Sequence, residues 1–148
     1  MKAVKRIGIA LLRTALLALA LSGITGCGGS AGPQTHPVKG QVQLAGGEIK
    51  NLAGQSVEAA LDKDPTTRAY GQILPDGSFT LETLQAGTVR PGAAEGKYRV
   101  RLVLSDDDPE ARRRAARTVH PRYLQFQAAG LSLQVPSKDL VTLALSKQ

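Results

Sequence analysis

Few side chains in this 148-residue sequence are equipped for covalent or metal chemistry: one cysteine, Cys27, and two histidines, His36 and His120. A nucleophilic cysteine needs a neighbouring histidine or helix N-terminus to lower its pKa and a framework to hold it. Cys27 is instead followed by Gly28, Gly29 and Ser30. A zinc site needs about four ligands, and one Cys with two His cannot close it without carboxylates. His36 and His120 each precede a proline, as loop residues do. The triplet Asp106, Asp107, Asp108 lacks the alternate spacing and the glycine of an EF-hand loop, and reads more simply as helix N-capping. No Ser/His/Asp set, carboxylate pair or phosphate-cradling glycine loop assembles from the rest. These patterns nominate no catalytic residue, no metal site and no cofactor.

The remaining chemical feature is the run Arg112, Arg113, Arg114 with Arg117. Four guanidinium groups so close together suit an anionic surface, either lipid headgroups or acidic envelope polysaccharide, each cation near such a surface adding about 1 kcal/mol. They more simply suit a solvated helix face balanced by the acids of 106–110.

The formal charge of +7 points first to a polyanion. Four of the 19 basic residues, Lys2, Lys5, Arg6 and Arg13, fall in an N-terminal segment without acids, so the other 15 face 12 acidic residues. That small surplus, with few aromatics to stack on bases, argues against nucleic acid.

The N-terminal segment explains its own charges. Residues 1–13 are basic and 14–24, "TALLALALSGI", are apolar. Eleven apolar residues are too few for a bilayer span, which takes about 20, but they have the layout of a secretory signal. Ile24, Thr25, Gly26 and Cys27 resemble the lipobox of bacterial lipoproteins. The resemblance implies diacylglycerol transfer to the Cys27 sulfur, cleavage between Gly26 and Cys27, and acylation of the new amino terminus. Two or three acyl chains at about 0.8 kcal/mol per buried methylene hold a protein durably on a membrane. The expected organisation is a signal peptide over 1–26, a Gly- and Pro-rich tether over 27–37 and one folded domain over 38–148. By the enterobacterial sorting rule Gly28 suits the outer membrane. The expected location is the cell envelope, at the outer membrane or the periplasmic face of the inner membrane.

From Val38 onward the hydrophobic period is two. Val38, Gly40, Val42 and Leu44 alternate with polar residues, as do Tyr98, Val100, Leu102 and Leu104, then Leu131, Leu133 and Val135, then Val141, Leu143 and Leu145. Each predicts a strand with one buried face. Weaker strands are expected at 55–62, 67–74, 78–83 and 122–127. "LPDGSF", 74–79, predicts a tight reversal joining 67–74 and 78–83 as a hairpin. Seven or eight antiparallel strands with turns between them predict an all-β sandwich. Residues 105–121 break the period. Acids and Pro109 in front, arginines later and Pro121 behind predict a short surface helix or a disordered insertion near 106–118, with Ala111, Ala115 and Val119 as its apolar stripe.

"HPVKGQVQLAGGEI", "LPDGSFTL", "PGAAEGKYRVRL" and "AAGLSLQVPSKDLVTLAL" resemble, in that order, pieces of small planctomycete-type lipoproteins with a carboxypeptidase regulatory-like, or transthyretin-like, domain. Ala129 stands where such chains usually carry Ser, and "GGEIKNLAG" lacks their proline after the first turn. The resemblance implies a Greek-key sandwich of seven or so strands and no established activity. Together these readings predict a non-enzymatic, lipid-anchored structural, adhesion or accessory binding module, its partners the membrane and an envelope polysaccharide or protein. The alternative is a lipoprotein binding a small sugar or peptide in a concave apolar pocket.

Overall fold

The computed structural model describes residues 32–148. The expected signal peptide, Gly26 and Cys27 lie outside them. The described residues are mostly β, with 46% in strands and 19% in helices. In chain order the elements are β1 (Thr35–His36), β2 (Lys39–Ala45), a 3-10 helix (Ile49–Leu52), β3 (Ser56–Leu61), β4 (Arg68–Gln72), β5 (Ser78–Thr80) and β6 (Glu82–Gln85). There follow β7 (Thr88–Pro91), β8 (Ala93–Ala94), β9 (Gly96–Val103), α1 (Pro109–Thr118), a 3-10 helix (Pro121–Leu124), α2 (Phe126–Ala129), β10 (Leu131–Val135) and β11 (Val141–Ser146).

Six strands form one antiparallel sheet in the order β10-β9-β3-β4-β6-β7, three form a second in the order β11-β2-β5, and β1 pairs with β8. Thr35 and His36, expected in the tether, lie opposite Ala94 and Ala93. The alternation read from sequence supplies the core: Val57, Ala59, Tyr98, Val100, Leu102 and Leu133 from the larger sheet meet Val42, Phe79, Leu143 and Leu145 from the smaller in one cluster. Tyr98 is fully buried, and its hydroxyl donates to the Ala94 carbonyl at 2.9 Å, so its one polar atom is satisfied. Gly40 lies opposite Phe79 so closely that a Cβ there would stand 2.1 Å from the ring.

Several expectations are corrected. The sheets are not antiparallel throughout, because β11 runs parallel to β2 from Val141↔Gly40 to Ser146↔Ala45. β11 arrives by a crossover from β10 in the other sheet, and no tight turn dictates its direction. The reversal at 74–79 is present, with the Gly77 amide donating to the Leu74 carbonyl at 2.8 Å and Gly77 at φ 85°. Its two arms do not form a hairpin. β4 pairs with β6, while β5 pairs with β2 in the smaller sheet, so 78–83 divides at the buried Leu81 where the chain changes sheets. Residues 122–127 are not a strand but the end of a 3-10 helix and the start of α2. With the short β1, β7 and β8, eleven strands among the described residues replace the seven or eight expected.

The insertion near 106–118 is ordered as a helix. The Asp108 carboxylate accepts from the amides of Glu110 at 2.9 Å and Ala111 at 3.0 Å, and Pro109 occupies the first turn, where no amide is missed. Of the expected stripe, Ala115 and Val119 are buried and Ala111 half-buried; Thr118 joins them, and α1 packs on the 3-10 helix at 49–52. Among the described residues no helix is long and apolar enough to cross a membrane.

Candidate functional site

α1 displays the arginines as the helical period dictates. Arg112, Arg113, Arg114 and Arg117 are all exposed, while Ala115 among them is buried. Arg112 is engaged: its Nη1 donates to the Leu104 carbonyl at 2.9 Å and to Asp106 at 2.7 Å. Arg113 pairs with Glu110 one turn away at 2.5 Å. Neither Arg114 nor Arg117 forms an ion pair among the described residues, which makes them the freer two of the four.

The three aspartates have separate occupations. Asp106 holds Arg112, Asp107 accepts from the Ser105 hydroxyl at 2.9 Å, and Asp108 caps α1. The amide of Ala111, with that of Glu110, keeps the Asp108 carboxyl below its ordinary pKa. Among the described residues no three His, Cys, Asp or Glu side chains are grouped to hold a metal.

The histidines are not brought together. His36, in β1, borders a recess of about 440 Å³ with Leu61, Asp64 and Glu95. The Nδ1 of His120 accepts from the Arg122 amide at 3.2 Å, and its own amide donates to Ser146 at the far end of β11. Because β11 runs beside β2, whose start is three residues after His36, the length of that strand pair separates them.

Two features of the larger sheet escaped the sequence reading. The first is Glu58, only 2% exposed although it points away from the core. It lies opposite Tyr70 on β4 and Arg101 on β9. Arg101 Nε donates to its Oε2 at 2.5 Å and Arg68 Nη1 bonds its Oε1. The Phe126 ring covers both cations, with the Arg101 guanidinium 4.8 Å and that of Arg68 5.7 Å from its centroid. Burial alone would raise the Glu58 pKa, but the bonds from Arg101 and Arg68 outweigh it and hold the carboxyl below its ordinary 4.5. Every charge in the cluster is engaged, so it ties β3, β4 and β9 beneath α2 and is not a free site.

The second is an open groove of about 460 Å³ on the same outer face, along β4, β6 and β7. Among the described residues, four of the five exposed large apolar side chains line it: Tyr70, Leu74, Leu84 and Val89. Ser56, Gln72 and Glu82 add polar groups. No protein-family model, no curated protein and no solved structure matches the chain.

Proposed function

We propose that the chain is a lipid-anchored lipoprotein of the cell envelope, held through Cys27, whose domain is a non-enzymatic binding module of Greek-key, carboxypeptidase regulatory-like type. The shared core of the two sheets and the crossover into β11 support the architecture. The observation that carries the function is where the basic helix stands. The chain enters beside β8, immediately before β9, and α1 follows the other end of β9. Eight strand residues at about 3.3 Å each put more than 20 Å between those ends. Arg114 and Arg117 thus belong to the end of the domain opposite the β1–β8 pair, which supports a role in meeting an acidic envelope polymer.

Metabolic palmitate labelling of the wild type beside Cys27→Ser, with membrane fractionation, tests the anchor: label and membrane retention both vanish in the variant. If the variant is still labelled and still sediments with membranes, the reading is wrong. The groove favours a second reading, a small sugar or peptide ligand lying over Tyr70 and Glu82. Saturable perturbation of the Tyr70 and Gln72 resonances by one compound class, with none at α1, would select it.

A further inference from the structure

We propose that the β6–β7 hairpin rests on the same bilayer that takes the lipid, with Leu84 and Val89 at the boundary between headgroups and acyl chains. The inference rests on the lipid-anchor reading above, and its grounds lie in where the chain enters the fold.

Gly32 lies against the hairpin: a Cβ built on it would stand 2.7 Å from the Gln85 carboxamide. At the other end of β7, a Cβ on Gly92 would strike the His36 carbonyl. The entry segment therefore runs beside β7, coming from the hairpin's tip. Four residues, Gly28 to Ala31, separate Gly32 from Cys27. Five residue steps at no more than about 3.6 Å each allow at most about 18 Å between the lipidated residue and the hairpin. The tip is consequently confined near the membrane, whatever path those residues take.

The side chains at the tip suit that confinement. Ala86 and Gly87 form the two-residue turn, Gln85 pairs with Thr88, and the next pair is Leu84 with Val89, 63% and 58% exposed. Leucine and valine that far exposed on one cross-strand pair gain by leaving water. Tyr70, one strand inward and 43% exposed, is an amphipathic ring of the kind that settles at headgroup depth. Its register partner Glu82 lies at the same level, two residues farther from the tip than Leu84, where a carboxylate keeps contact with water and polar headgroups.

A second copy adding a strand at β7 is the poorer occupant. The entry segment already flanks that edge, and Pro91 offers no amide to a new partner.

The test uses the full-length lipidated protein in phosphatidylethanolamine–phosphatidylglycerol vesicles. Because acylation consumes the one native thiol, an environment-sensitive fluorophore can be placed singly at Val89→Cys or, at the opposite end of the domain, at Lys147→Cys. The expected result is blue-shifted emission at position 89 and severalfold stronger quenching by brominated acyl chains there than at 147. Leu84→Ser in the Val89→Cys background should reduce that quenching. Equal, water-like emission from both positions on vesicles that the protein floats with would overturn the inference and leave the anchor standing. Shielding at 89 that follows protein density and ignores the lipid quencher would assign the face to a second copy and overturn it as well. Failure to float at all would overturn the anchor, and this inference with it.

Discussion

Glu58 and Arg101 stand directly opposite each other on β3 and β9, and the Arg101 Nε closes on the Glu58 carboxylate at 2.5 Å beneath the Phe126 ring. Arg68 reaches the same carboxylate from β4, so one acid binds two neighbouring strands. The geometry carries a thermodynamic consequence because the acid is buried while its partners are only partly so.

Glu58→Gln should lower stability by about 1–3 kcal/mol, less than the loss of a fully buried pair, since Arg68 and Arg101 keep access to water. The wild type should carry an acid-sensitive term that the variant lacks. A carboxyl more acidic in the folded than in the unfolded chain stabilises above its unfolded pKa, ordinarily 4.5, and that stability drains as pH falls below it. Urea titrations at neutral pH and at successively lower pH should show the two proteins converging. A wild-type acid slope unchanged by the substitution would contradict this.

Gly40→Ala should be costly out of proportion to one methyl. The new Cβ would fall 2.1 Å from the Phe79 ring, and neither β2 nor β5 can move without opening the smaller sheet. Overpacking of this kind costs about 1–3 kcal/mol. Thermal denaturation should show a lowered midpoint, and Phe79→Leu in the same chain should recover part of it. An additive or worse double variant would exclude the ring as the cause.

The arginines of α1 should not be equivalent. Replacing Arg114 and Arg117 with Gln should weaken binding to an acidic polysaccharide at low salt more than replacing Arg112 and Arg113, whose charges are already answered by Asp106 and Glu110. Exposed cations contribute about 1 kcal/mol each at such a surface, so the first pair should account for roughly a thirtyfold loss, shrinking as salt rises. Binding unchanged in both double variants at low salt would remove α1 from the interface.

Much of this fold is written locally. β2, β9, β10 and β11 alternate cleanly because each has one face in the core, and α1 announces itself through Asp108, Pro109 and its arginine face. The misreadings share a cause: the deciding partner is distant in sequence. Ser78–Thr83 alternates without a break, yet which sheet each half joins depends on β2 and β4. β7 has no buried residue and hence no pattern. Residues 122–127 mix aromatic, Leu and Gln side chains in a way that suits a strand, although Pro121 before them and Gly130 after are helix punctuation. Alternation with Val57 and Ala59 puts Glu58 on the outward face of β3, and nothing local marks it as buried, because its burial comes from Arg68, Arg101 and Phe126, ten to sixty-eight residues away. The exposed arginines were visible from sequence; the groove was not, since its lining comes from β3, β4, β6, β7 and the strand changeover between them.

The parallel run of β11 beside β2 has a mechanical consequence. The chain enters just before Lys39, at one end of this pair, and leaves just after Ser146, at the other. A pull between the two ends of the domain therefore acts along the strands, loading all six residue pairs from Gly40–Val141 to Ala45–Ser146 in shear at once. A tethered module with a partner gripping its distal end would resist extension as a clasp does, giving way abruptly and not by peeling.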